Sequence, residues 1–218
     1  MFARLAAVLL LAAVIVHAES DADGDVLTAH DRLGNIATAF NQFDGRSHSI
    51  QVNRLTAQGY SVWTDQHADG YTEKAYAAAM DAVGGIYLAG VRIVDRQKYF
   101  LLIKYGENGN IEWETTDNAS NCTATSLDVD RDGDVVAAGV CRSGNSFPAR
   151  VVKYAGNGGF RWSQEYDGGG RNYLRGFQLD YAGNISVTVE TVFGNYRDGS
   201  YVTRTIIYSP TGQQLEVR

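Results

Sequence analysis

The chain has 218 residues, 44% of them apolar, 20% charged and 11% aromatic, with 24 glycines, two prolines and a formal net charge of −6. This is a globular composition, and it excludes a collagen, a coiled coil, a disulfide knot and a basic nucleic-acid binder. No apolar run reaches the roughly 20 residues that a membrane-spanning helix needs.

Residues 1–18 have the layout of a secretory signal peptide. Arg4 precedes the apolar stretch Leu5 to Val16, and Ala18 is a small residue at the cleavage position. The stretch is too short for a comfortable span, so no stable membrane anchor is expected after cleavage. No Cys follows it, which excludes lipid attachment there. Cleavage leaves residues 19–218 with 18 basic and 25 acidic side chains, a charge of −7. The expected compartment is periplasmic or extracellular.

The rest of the chain is periodic. Trp63, Trp113 and Trp162 are 50 and 49 residues apart, each four residues after a glycine (Gly59, Gly109, Gly158). Asp31, Asp81, Asp130 and Asp180 follow the same spacing, each three residues before a glycine (Gly34, Gly84, Gly133, Gly183). Arg54, Lys104 and Lys153 form a third series in the same phase. The three series divide the chain into four units, at about residues 25–67, 74–116, 122–166 and 173–217.

Within a unit, short aromatic and β-branched runs alternate with Asp/Asn/Gly turns, the signature of hairpins. Asp bonds back to the turn backbone and Gly accepts positive φ. In the second unit the runs are Lys74 to Met80, Ile86 to Gly90, Tyr99 to Tyr105 and Ile111 to Trp113. The third run is apolar almost throughout, which implies a sheet covered on both faces. The expected fold is all-β and β-propeller-like, with four four-stranded blades of about fifty residues. Ala77 to Ala79 and Ala137-Ala138-Gly139 suit strands crowded near an axis.

The strings DAVGGIYLAG, YFLLIKYGENGNIEW and ARVVKYAGNGGFRW resemble the bacterial β-propeller repeat of the SBBP type. The resemblance spans residues 25 to 217 and implies an exported propeller-like protein. It carries a fold and no particular function. Unit one departs from the pattern with Arg54-Leu55 for Lys-Tyr, and unit four with Ile207-Tyr208 and with Glu216 in place of Trp. Four units are few for a ring. Either they close alone, or two chains complete a ring as a homodimer, or an open arc is capped by a partner.

Cys122 and Cys141 are equidistant from the Asp130–Gly133 turn, so a regular hairpin places them opposite each other, in reach of a structural disulfide. Asp128, Asp130, Asp132 and Asp134 resemble the front half of a calcium loop, without the distal glutamate of an EF-hand. Since Asp130 and Gly133 recur in every unit, the plainer reading is a turn. No other cofactor is expected. Asp21, Asp23 and Asp25 read as a solvated N-terminus. His30, His48 and His67 invite a zinc reading but lack short spacings, and scattered surface histidines are expected.

The in-phase tryptophans are expected to pack between blades. Non-repeating aromatics are better binding candidates: Tyr71, Tyr173, Phe193, Tyr196 and Tyr201, with Arg175 and Arg197 nearby. Asn118, Asn121 and Asn184 open glycosylation sequons, relevant only in a glycosylating host. No familiar hydrolase, zinc-protease or nucleotide-binding string is present. The expected function is a non-enzymatic binding or scaffolding module for a protein or a surface polysaccharide. The competing readings are a periplasmic assembly scaffold of quinoprotein-like type and a small carbohydrate-active enzyme or lyase.

Overall fold

The computed structural model describes residues 25–194 and 199–218; the signal segment 1–18, Asp21, Asp23, Tyr196 and Arg197 lie outside them. The described residues form sixteen strands and no helix. Strands β1 (Val26–His30), β2 (Ile36–Phe43), β3 (His48–Leu55) and β4 (Ser61–His67) make the first sheet. The second holds β5 (Thr72–Met80), β6 (Ile86–Val94), β7 (Gln97–Tyr105) and β8 (Ile111–Ser120). The third holds β9 (Cys122–Val129), β10 (Val135–Cys141), β11 (Ala149–Tyr154) and β12 (Phe160–Tyr166). The fourth holds β13 (Arg171–Leu179), β14 (Ile185–Phe193), β15 (Ser200–Tyr208) and β16 (Gln214–Val217). Every sheet is an antiparallel meander, an arrangement consistent with a propeller-like fold. The four sheets correspond to the four sequence units, and below they are blades one to four.

The repeated Asp builds the turn between the first two strands of each blade. Asp81 Oδ1 accepts from the backbone N–H groups of Val83 (3.0 Å) and Gly85 (2.8 Å), while Gly84 takes φ of 86°. Asp130 does the same with Asp132 (2.9 Å) and Asp134 (3.0 Å). A one-residue bulge then interrupts the first strand at Tyr76, Thr125 and Arg175 in the last three blades. It pushes backbone against the neighbouring strand: a Cβ at Gly90 would lie 1.9 Å from Lys74 O, and one at Gly139 1.9 Å from Thr123 O. That close approach explains why the second strand carries glycine there.

The tryptophans join each blade to the next. The Nε1 of Trp63, Trp113 and Trp162 donates to the carbonyls of Glu107 (2.9 Å), Gly156 (2.9 Å) and Pro210 (3.0 Å). Each indole lies against the turn glycine of the following blade, where a Cβ at Gly109, Gly158 or Gly212 would come within 2.7–2.9 Å of the ring. Arg54 and Lys104 reach the same carbonyls at 3.0 and 3.1 Å. The Tyr of the Lys-Tyr pair stacks on the preceding indole at the first seam, with Tyr105 5.6 Å from Trp63.

Three apolar clusters fill the three seams between consecutive blades, and none contains residues of both blade four and blade one. The outward faces of these two blades are polar. On blade one, Gln42, Ser49, Gln51, Asn53, Thr38, Thr64 and Gln66 are linked by side-chain hydrogen bonds of 2.7–3.3 Å. On blade four, Ser186 and Thr188 replace the Ala37/Ala39, Tyr87/Ala89 and Val136/Ala138 of the earlier blades. The two departures from the repeat belong to the same missing seam: Leu55 stands where a Tyr would receive an indole, and Glu216 where a Trp would supply one. β15 is exposed over Ser200–Arg204, unlike the buried third strands of blades two and three, because among the described residues β16 pairs only its far end.

Candidate functional site

The densest group of chemically active side chains lies in the seam between blades one and two. His67 ends β4, Asp69 lies on the connection that follows, Glu73 opens β5, Arg92 is on β6 and Glu114 on β8. Glu73 and Arg92 are directly opposed across β5 and β6. His67 Nε2 is 2.9 Å from Glu73 Oε2 and 3.0 Å from Glu114 Oε2. Arg92 takes the other oxygen of both glutamates, through Nε to Glu73 Oε1 and through Nη2 to Glu114 Oε1, and its Nη2 is 2.6 Å from Asp69 Oδ2. The Tyr71 ring lies 5.1 Å from the guanidinium carbon.

The group is buried: His67 is 6% exposed and Glu73 1%. Burial opposes charge on His67, but the carboxylates of Glu73, Glu114 and Asp69 outweigh it and hold the imidazole above its ordinary pKa. Arg92 is likewise held up by Glu73 and Glu114 against its burial. Close as they are, His67 Nε2 and Glu73 Oε2 make no well-directed hydrogen bond. One ligand atom from each of His67, Asp69, Glu73 and Glu114 lies within 4.8 Å of all the others.

Cys122 and Cys141 are bonded and directly opposed in register, as the hairpin spacing implies. Asp128, Asp130, Asp132 and Asp134, the expected front half of a calcium loop, are not among the grouped metal-ligating side chains of the described residues. Asp130 spends one oxygen on the turn and gives the other to Lys153 Nζ at 2.8 Å, so an ammonium already stands there. Lys153 Nζ is also 3.7 Å from Asp134 Oδ2, whereas Asp132 is exposed. Burial, and then the nearby Asp130 charge, push the Asp128 carboxyl up to about 6, although the Val129 N–H draws it down.

The structure unites two of the expected binding residues. Arg175 lies over the Tyr173 ring at 5.2 Å and donates to Glu190 Oε1 at 2.8 Å on the outward face of blade four. Phe193 points to the opposite face, against Gly170. Of the three histidines, His48 packs on Phe43 at 4.7 Å and His67 alone enters the buried cluster. Glu73, Arg92 and Glu114 escaped the sequence reading. A usable signal existed: eight residues before the turn Asp and eight after the turn Gly stand Glu73/Arg92, Cys122/Cys141 and Asn172/Thr191, a bonded polar or sulfur pair in each of the last three blades.

No family model matches the chain, and no curated protein does. Among solved structures it is similar to a mannose phosphorylase from Leishmania mexicana, at 9% identity and a TM-score of 0.41 over 84% of this chain and 63% of that one. A eukaryotic initiation factor is similar at 11% identity and a TM-score of 0.37, over 89% of this chain and 54% of that one. The chain thus spans less than two thirds of either, and likeness at this level assigns no activity.

Proposed function

We propose that the protein is an exported, non-enzymatic binding or scaffolding module that engages a protein or a surface polysaccharide through the outward face of blade four. The observation that supports this reading is the composition of that face. Residues directly opposite in register share a face, and this places Tyr173, Glu190 and Thr203 together, with Tyr201 opposite Val192 one step along. Tyr201 is 69% exposed. Arg175 bridges Tyr173 and Glu190, and Thr188 and Thr205 extend the surface with paired hydroxyls 2.9 Å apart. Rigid tyrosines beside an arginine supply contact area at low entropic cost and are enriched where proteins bind partners. A flat sheet of hydroxyls and stacking rings also suits a sugar polymer.

The test is co-sedimentation of the purified protein with cell-wall sacculi and with insoluble polysaccharides of known composition, beside surface-protein preparations. Tyr173→Ala with Tyr201→Ala is expected to lower binding at least tenfold while leaving the circular dichroism unchanged. Undiminished binding by the double variant would move the site elsewhere. Release of reducing ends or unsaturated sugars from any of the polymers would overturn the non-enzymatic reading.

A further inference from the structure

We propose that the seam between blades one and two is a binding site for a divalent first-row transition metal, held by His67 Nε2, Glu73 Oε2 and Glu114 Oε2, with Asp69 as a fourth ligand. The proposal stands apart from the binding face of blade four. Three observations carry it. First, His67 Nε2 and Glu73 Oε2 are buried and 2.9 Å apart, at ion-pair distance, yet neither makes a directed hydrogen bond. A buried nitrogen and carboxylate oxygen without directed hydrogen bonds are costly unless a common partner beside both satisfies them.

Second, the spacing fits. Ligands at right angles on bonds of about 2.1 Å are separated by about 3.0 Å, and the imidazole nitrogen lies 2.9 and 3.0 Å from its two carboxylate neighbours. A tetrahedral zinc with similar bonds would spread them to about 3.4 Å. One imidazole with several carboxylates in an octahedral arrangement suits Mn(II) or Fe(II), and the nitrogen disfavours Ca(II) and Mg(II).

Third, the surroundings match those of a metal centre. Arg92 binds the Oε1 atom of both glutamates and so aims both Oε2 atoms at His67, the orienting role of groups just outside a ligand shell. Three carboxylates face one guanidinium there, an excess that a divalent ion replacing any imidazole proton would balance. The ligands come from both blades, so the ion would clasp the seam.

The full mature chain, stripped with chelator, is titrated with Mn(II) while the free-ion electron paramagnetic resonance signal is followed. One ion per chain is expected to disappear from that signal, and the bound ion is expected to show coupling to one imidazole nitrogen. At a hundredfold excess over Kd the melting temperature should rise by about 5–10 °C. His67→Gln and Glu114→Gln are each expected to weaken binding at least 100-fold. Glu114 is the more exposed ligand and serves if the His67 variant fails to fold. Asp132→Asn, in the acidic turn of blade three, should leave binding unchanged. The proposal is overturned if Mn(II), Co(II) and Zn(II) all bind no tighter than millimolar, if the bound ion shows no nitrogen coupling, or if binding survives both ligand substitutions.

Discussion

The first and second seams hold the same backbone position by different chemistry. In blade two the opposed pair is Glu73 and Arg92; in blade three it is the Cys122–Cys141 disulfide. The residue four after the Trp of the preceding blade is buried in both cases, His67 in one and Asp117 in the other. The disulfide has no charge, and the cation beside Asp117, 5% exposed, is Arg150, at 2.5 and 3.2 Å, which also reaches the half-exposed Glu165 at 2.7 Å. At the first seam the pair is itself charged. It draws in Glu114, Asp69 and His67 and ends with more carboxylates than cations. A covalent clasp thus leaves one buried carboxylate on one guanidinium beside it, and an ionic clasp gathers three carboxylates round one guanidinium and an imidazole.

The hardest blow to that contrast is Arg150→Met. It strands Asp117 in an apolar seam and should cost about 3–5 kcal/mol in urea unfolding. Arg92→Met should cost about half as much, because His67 remains to face the glutamates; equal losses would erase the distinction. Removing the disulfide with Cys122→Ala and Cys141→Ala, which bridge a separation of 19 residues, should cost about 3 kcal/mol. The reciprocal change, Glu73→Cys with Arg92→Cys, should form a disulfide on oxidation, read by thiol titration. Thiols that stay free would show that the two positions are not equivalent.

A smaller effect separates a filled seam from the empty one. Gly158 and Gly59 have φ of 83° and 84°, but a Cβ at Gly158 meets Trp113 Cγ at 2.9 Å and one at Gly59 meets nothing within 4 Å. Gly158→Ala should therefore lose about 1–2 kcal/mol more than Gly59→Ala in thermal unfolding. The smallest effect concerns the third seam, where Asp128 stands at the place of Ala79 in blade two. Its carboxyl is raised from 3.8 to about 6 by burial, so the folded state takes up a proton first as pH falls. Ionisation costs stability above pH 6, and the cost vanishes below about pH 4, where both states are protonated. Asp128→Asn should gain on the order of 1 kcal/mol at pH 7 and nothing at pH 3.5.

The strands and turns were legible because period-two runs and Asp-x-x-Gly turns are local signals. The disulfide was legible by symmetry about a turn, and two irregularities happen to cancel there. The Asp130–Asp134 turn adds one residue to the loop, and the bulge at Thr125 removes one, so Cys122 still meets Cys141. The metal-ligating group was illegible for the opposite reason. His67, Glu73 and Glu114 come from three strands of two blades, and no local rule relates them. The acidic run Asp128 to Asp134 was legible as a run, but the cation beside it, Lys153, comes from another strand and no local rule announces it. The eroded repeat of unit four was visible, but its pairing with Leu55 as the other half of one seam needed the indole–turn contact to be seen.

That contact also has a direction. The indole of each blade closes on a turn made nearly a whole repeat later in the chain: Trp63 on Gly109, Trp113 on Gly158 and Trp162 on Gly212. During synthesis from the N-terminus a blade therefore emerges with its tryptophan unsheltered and waits for its successor. Each new blade completes the one before it and leaves its own ring exposed. Blade four breaks the relay, because Glu216 sits at the tryptophan position and is paired with Arg218 at 2.7 Å. The exposure of the three tryptophans therefore ends at the step that finishes the third seam, and with it the aggregation risk that those rings carry.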